Sequence, residues 1–130
     1  MLKVIFNMSD YIFTREKLYE RTMDFSVRVI RMVRNMPRGV AEDVVAKQLT
    51  KSATSIGANY REASHAKSPN DFAAKLKICE SEAAETLYWL QLVVNTGMMQ
   101  ENKIHALTTE AKELVAIFTA ATKRAYSNRK

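Results

Sequence analysis

The chain has 130 residues, enough for one domain, and 47% of them are hydrophobic, which is too apolar for a disordered protein. Three Gly and two Pro leave little material for the turns of an all-β fold, and the single cysteine, Cys79, excludes an intramolecular disulfide and a cysteine-rich zinc site. Twenty Lys and Arg against 14 Asp and Glu give a net charge of +6, which favours acidic partners such as nucleic acid.

Residues 1–13 form an apolar N-terminal arm. Asn7, Ser9 and Asp10 interrupt its apolar residues, and no small-residue cleavage site follows, so a secretory signal is disfavoured. No apolar run reaches the roughly 18 to 20 residues that a transmembrane helix needs. We therefore expect a cytoplasmic protein that does not engage a membrane. Its arm would pack on its own helices or on a neighbouring molecule.

The first helix is predicted to begin near Thr14, an N-cap residue, and to end before Pro37 and Gly39. Its apolar positions recur at alternating spacings of four and three, which is typical of a helix that faces other helices. These positions are Leu18, Thr22, Phe25, Val29, Met32 and Met36.

The second helix is predicted from Val40 to Ala66. Its inner stripe consists of Val45, Leu49, Ser52, Ala53, Ile56, Tyr60 and Ala63. A mid-helix glycine, Gly57, costs about 1 kcal/mol relative to alanine. The close approach of another helix is the simplest physical reason for it.

Ser68 and Pro69 mark the start of the third helix, as N-cap and first helical residue, and Gly97 marks its end. Its predicted stripe is Phe72, Leu76, Cys79, Ala83, Thr86, Leu87, Leu90 and Val94. The fourth helix is predicted from Gln100, with a stripe at Ile104, Leu107, Ala111, Leu114, Phe118, Ala121 and Ala125.

Four helices with short connections predict an all-α fold, an antiparallel up-and-down four-helix bundle over residues 14–126 with a polar tail at 127–130. The third helix is apolar on a second face as well, and a helix of this kind is usually covered on both faces. One interpretation is a broad core stripe that the fourth helix and the N-terminal arm cover. Because aromatic residues are enriched at interfaces, the favoured interpretation is a subunit interface formed by Ile78, Trp89 and Leu92.

The excess of positive charge lies mainly in the first helix, since residues 1–40 hold eight Lys and Arg against four acidic residues. A solvated helix face is the simplest interpretation of any single charge. Together, the basic residues form a candidate surface for phosphate contacts. Its members are Arg28, Arg31, Arg34, Arg38, Lys47, Lys51, Arg61 and Lys67.

The sequence contains no complete catalytic or metal-binding motif, so we expect no enzymatic activity, no cofactor and no metal site. Glu62 and His65 have the spacing of half a di-metal motif, but the sequence contains no second such motif. A metal-dependent enzyme therefore remains only a remote alternative. The favoured interpretation is a structural polar contact between the second and third helices, since buried polar groups must be paired. Its members are Asn59, Glu62, Glu85 and Thr86.

Several segments of the second and third helices resemble a bacterial family encoded in intervening sequences of 23S ribosomal RNA genes, also called ribosomal-protein-like. The resemblance spans about residues 18–121 and is carried by Gln48-Leu49, Ser52-Ala53, Ser55-Ile56-Gly57, Asn59, Glu62, Ser68-Pro69, Phe72, Leu76, Glu82 and Glu85-Thr86-Leu87-Tyr88-Trp89-Leu90.

This resemblance implies an up-and-down bundle that assembles as a homopentamer and has no established enzymatic activity. The sequence is also similar to the accessory protein of diversity-generating retroelements, a basic pentamer that engages reverse transcriptase and RNA. We therefore expect a non-enzymatic oligomer whose basic surface binds structured RNA, such as ribosomal RNA or a ribonucleoprotein. The alternative is a protein-interaction module whose partner is a reverse transcriptase or another polymerase.

Overall fold

A computed structural model describes residues 15–128, and its helices follow the predicted order. They are α1 (Arg15–Arg34), α2 (Val40–Ala63), α3 (Pro69–Asn95) and α4 (Glu101–Asn128). This part of the chain contains no strand, so the prediction of an all-α fold with four helices is confirmed. The apolar arm and Thr14 lie outside the described residues, and α4 extends two residues into the predicted polar tail.

All four helices contribute to one apolar core. The stripe predicted for α1 is buried at every position, and so is the stripe predicted for α2. In α3 the buried face is broader than one stripe, because this helix packs against both α2 and α4. Ala73 and Val93 are fully buried there, whereas Phe72, Leu87 and Val94 are half-buried and pack against the core.

The ends of α3 are fixed by the residues that the sequence indicates. The Ser68 hydroxyl accepts a hydrogen bond from the Asp71 N–H at 3.0 Å, with Pro69 in the first turn. At the other end Gly97 has a φ of 77°, and its N–H donates to the Val94 carbonyl at 3.0 Å. The N–H of Met98 reaches the Val93 carbonyl at 3.0 Å, which completes a Schellman motif.

The second helix ends at Ala63, three residues before the predicted end. Beyond it, the His65 N–H donates to the Glu62 carbonyl at 3.0 Å and the Ala66 N–H donates to the Ala63 carbonyl at 3.1 Å. These hydrogen bonds span three residues instead of four, so the chain tightens into turns before Pro69 begins α3.

The contacts between α1 and α2 join the beginning of α1 to the end of α2, and residues further along α1 contact residues nearer the beginning of α2. The rings of Tyr19 and Tyr60 meet edge-on with centroids 5.2 Å apart, and the Ser26 hydroxyl donates to the Ala53 carbonyl at 3.3 Å. Between these contacts, Gly57 faces Thr22, and a Cβ atom at Gly57 would lie 3.3 Å from the Thr22 Cβ. The close helix approach predicted at Gly57 is confirmed.

Hydrogen bonds also join α2 to α3. The Thr86 hydroxyl donates to the Ser52 hydroxyl at 2.9 Å in a buried position, and the Cys79 thiol lies 3.5 Å from the Ile56 carbonyl. The second helix therefore packs against α1 on one side and α3 on the other. No helix within residues 15–128 is long and apolar enough to cross a membrane.

Replacing Gly57 by valine should destabilise the protein by about 1–3 kcal/mol, because the added methyl groups overpack the contact with Thr22. The matched control is Ala84→Val at an exposed position of α3, for which a loss of at most about 0.7 kcal/mol is expected from the lower helix propensity of valine. Urea unfolding followed by circular dichroism measures both variants. Equal stability of the two variants would contradict the close contact.

Candidate nucleic-acid interface

Five of the eight predicted basic residues are exposed and make no ion pair with any other residue between 15 and 128. Arg31 and Arg34 lie on α1, Lys47 and Lys51 lie on α2, and Lys67 lies in the connection between α2 and α3. Residues three or four apart are neighbours on a helix surface, so each helix carries a pair of adjacent cations. We call these five residues the free cations.

The other three predicted basic residues are engaged by neighbouring side chains. Arg28 lies 3.6 Å from Asp24, and the Arg61 guanidinium lies 4.9 Å from the centroid of the Tyr19 ring. These groups are less available for phosphate than the free cations, because a phosphate would compete with an existing partner.

Arg38 forms the best-defined ion pair of the predicted set. Its Nε lies 2.8 Å from Oδ1 of Asp43, and this hydrogen bond raises the pKa of Arg38 and lowers the pKa of the Asp43 carboxyl. Arg34 and Arg38 line the same depression, with a volume of about 380 Å³, where α1 gives way to α2. One free cation of α1, Arg34, and Asp43 near the start of α2 therefore border the same depression.

Two acidic residues of α3, Glu82 and Glu85, lie near the basic residue Lys51. Burial raises the pKa of the Glu82 carboxyl, and the nearby charge of Glu85 raises it further. Lys51 acts in the opposite direction and lowers the same pKa. Lys51 is thus the free cation whose charge acts on the Glu82 carboxyl of α3.

Arg21 is a basic residue with a structural role that the sequence analysis did not assign. Its Nε lies 2.6 Å from Glu110 Oε2, its Nη2 donates to Glu110 Oε1 at 2.9 Å, and it also pairs with Glu113. The hydrogen bond with Glu110 raises the pKa of Arg21. This bidentate ion pair links α1 to α4, and no local sequence pattern joins residues so far apart.

Of the four residues predicted to form a polar contact between α2 and α3, two bond across these helices, although not to each other, and two bond within their own helix. Asn59 donates to the Ser55 carbonyl of its own helix at 2.8 Å, and Glu85 accepts from Trp89 in α3 at 3.1 Å. Thr86 does bond to α2, but through Ser52. Glu62 also reaches α3, where it accepts from Lys75 Nζ at 2.8 Å. The polar contacts between the helices are thus Ser52–Thr86 and Glu62–Lys75.

The predicted interface residues lie on the outer side of α3. Ile78 is 39% exposed, whereas Trp89 and Leu92 are half-buried against the core. Tyr88 was not among the predicted interface residues, but it is 55% exposed and meets the Trp89 ring with centroids 5.0 Å apart. Tyr88 precedes Leu92 by four residues, which places the two side chains next to each other on the helix surface, and this spacing could have identified it.

The groups that most often perform catalysis are dispersed. Cys79 is buried, and burial raises the pKa of its thiol to about 12. His65 is exposed beyond α2, and His105 lies 2.7 Å from Glu101 within α4. Between residues 15 and 128, no group of three or more His, Cys, Asp and Glu side chains is placed to hold a metal ion.

Glu82→Gln should raise the melting temperature at neutral pH, because above its raised pKa the Glu82 carboxylate disfavours the folded state. The folded protein binds this proton more tightly than the unfolded chain, so the penalty shrinks as pH falls through the raised pKa toward the ordinary value of 4.5. Thermal melts from neutral pH to pH 4 should therefore show the advantage of the variant disappearing. The same gain in the exposed-site control Glu20→Gln would contradict the assignment to Glu82.

Comparison with known proteins places this arrangement in a family. The model of the family described as 23S rRNA-intervening sequence protein matches residues 15–120. A crystal structure of a protein of unknown function, from the S23 ribosomal protein family of Bacteroides thetaiotaomicron, is 32% identical in sequence. That match covers 84% of this chain and 97% of the other, with a TM-score of 0.77. No curated protein matches. The chain belongs to the family of 23S rRNA-intervening sequence proteins.

Proposed function

We propose that this protein is non-enzymatic, assembles as a homopentameric ring of antiparallel up-and-down four-helix bundles, and binds structured RNA through its free cations. Ribosomal RNA or a ribonucleoprotein is the favoured target class. The name of the matching family refers to the 23S ribosomal RNA gene, and the homologous crystal structure is assigned to a ribosomal protein family. Both names favour an RNA context.

The order of contacts supports the antiparallel arrangement within each subunit. Tyr19 contacts Tyr60 and Ser26 contacts Ala53, so contacts advance along α1 while they retreat along α2. The next pair of helices follows the same rule, because α3 residues 75 and 86 contact α2 residues 62 and 52.

The observation that carries RNA binding is that the five free cations are exposed without an ion pair among residues 15–128. Binding to phosphates releases condensed counterions, so it gains more from cations that are not already neutralised by a carboxylate. A ring of five subunits would carry a formal charge of about +30, five times the +6 of one chain. Repeated contacts of this kind give tight binding from individually weak sites.

The double variant Arg31→Glu/Arg34→Glu should weaken binding to a structured RNA by about tenfold or more and should reduce the slope of log Kd against log salt by about 1.5. A fragment of 23S ribosomal RNA is the probe, with fluorescence anisotropy measured between low and physiological salt. The reason is that two phosphate contacts are lost and repulsion replaces them.

The matched control is Lys112→Glu/Lys123→Glu, which changes the net charge equally at exposed positions of α4. This control should retain most of the affinity. Equal losses in both double variants would show a general charge effect and would contradict a site on α1 and α2. Wild-type protein that fails to bind the RNA, yet retains a polymerase after nuclease treatment of a lysate, would overturn RNA binding in favour of a protein partner.

The assembly proposal depends on the outer face of α3. Ile78 and Tyr88 expose apolar surface there, and Trp89 is fixed by its hydrogen bond to Glu85. An aromatic pair and an exposed aliphatic side chain about three turns apart on the same helix have the composition of an interface.

Ile78→Glu should dissociate the oligomer, because the variant would bury a carboxylate without a partner at the interface. Light scattering should give a mass near five times 14.8 kDa for the wild-type protein and a monomer for the variant, with unchanged circular dichroism. Val40→Glu, at a position that is 89% exposed, is the control and should keep the wild-type mass. A monomeric wild-type protein would contradict the ring.

A further inference from the structure

A groove between α1 and α2 is lined mainly by apolar residues, and none of the five free cations lines it. It has a volume of about 390 Å³ and an almost entirely carbon lining. Met23, Val27 and Ile30 form one wall, and Met23 is 53% exposed. Gly57 and Ala58 lie on the opposite side.

The groove follows from the sequences of both helices. Met23, Val27 and Ile30 are spaced by four and three residues, so they form a second apolar stripe beside the buried stripe of α1. On α2, the space at Gly57 is filled by its close contact with Thr22, whereas the exposed Ala58 has too little side-chain volume to cover the stripe from the other side. An apolar stripe next to small residues leaves a cleft that exposes carbon to solvent unless something covers it.

The chain itself supplies a segment of matching chemistry. Residues 1–13 are rich in large apolar side chains, among them Val4, Phe6 and Met8. This arm joins α1 directly before Arg15, and the groove begins one helical turn later at Tyr19. Thirteen residues reach up to about 43 Å when extended, whereas the groove from residue 19 to residue 30 is about 16 Å long. The arm can therefore reverse direction and still cover the groove.

Two unpaired polar groups lie near the start of α1, where the arm joins: Arg15 is its first residue, and Tyr60 packs against Tyr19. Arg15 Nε and the Tyr60 hydroxyl are buried and have no hydrogen-bond partner within the described part of the chain. Burial raises the pKa of the Tyr60 hydroxyl, so both groups are donors that need acceptors. Backbone carbonyls of a segment packed against the first turn of α1 would supply them.

We propose that residues 1–13 fold back along α1 of the same chain and occupy the groove between α1 and α2. The arm then buries Met23, Val27 and Ile30 and fixes the α1–α2 pair from outside. The same chain is favoured over a neighbouring molecule, because a segment tethered one turn from its site has a far higher effective concentration than a separate molecule. This assignment does not depend on RNA binding.

Engineered cysteines test the proposal in the full-length protein. Ala58→Cys is placed in the groove and is combined in turn with Val4→Cys, Phe6→Cys and Met8→Cys in the arm. Because burial raises the pKa of the Cys79 thiol to about 12, the native cysteine contributes little background. At least one pair should form an intramolecular disulfide under mild oxidation with diamide, since only cysteines with adjacent Cβ atoms can be bridged.

The matched control replaces Ala58→Cys by Ser81→Cys, an exposed position on α3, and should give at least about fivefold less crosslink. Non-reducing gels separate crosslinked monomers from covalent dimers. Equal yields at both positions would overturn the groove assignment, and covalent dimers would overturn docking on the same chain.

A second measurement uses charge within the groove. Val27→Asp should reduce the crosslink yield by at least about fivefold, because it places a carboxylate in an apolar contact. Val44→Asp makes the same change at an exposed position of α2 outside the groove and should leave the yield unchanged. An undiminished yield in Val27→Asp, with wild-type circular dichroism, would contradict the docking.

Discussion

The rest of the structure depends on the small residues of α2, because this helix packs against two others at once. Gly57 allows the backbone of α2 to approach Thr22 of α1, and Ser52 allows a buried hydrogen bond with Thr86 of α3. Larger side chains at these positions would push both neighbours outward and open the core. The cost of a mid-helix glycine is therefore offset by packing that two helix pairs share.

Features set by local sequence could be predicted, whereas features set by distant pairs could not. The buried stripes of α1 and α2 follow from helical periodicity, and Ser68 and Gly97 mark the ends of α3 through their own backbone chemistry. The partners of Asn59 and Glu85 depend on helix rotation and side-chain rotamers, which periodicity does not determine. The Asn59 side chain donates to the Ser55 carbonyl of its own helix instead of contacting α3, because the preceding helical turn offers a carbonyl acceptor within reach.

Between residues 15 and 128, the ion pairs separate the basic residues into those with a carboxylate partner and those without one, a difference that the net charge does not show. Arg21 is held by two carboxylates of α4 and links α1 to α4, whereas Arg38 pairs with Asp43 on the exposed surface. Arg31 and Arg34 have no such partner among residues 15–128 and gain most from an external anion. The sequence predicted the basic surface as a whole, and two of its members are neutralised by nearby carboxylates, Arg28 by Asp24 in the same helix and Arg38 by Asp43 in α2.

Two apolar surfaces are uncovered in the described part of the chain, the groove between α1 and α2 and the outer face of α3, and they suit different occupants. The groove beside α1 is concave, narrow and adjacent to the arm, and such a cleft suits a single extended segment. The outer face of α3 presents the rings of Tyr88 and Trp89, with Ile78 exposed about three turns earlier, and an exposed aromatic face of this kind suits another folded surface. If the arm covers the first face within each subunit, the second remains free for assembly, and the free cations of α1 and α2 stay available to a ligand.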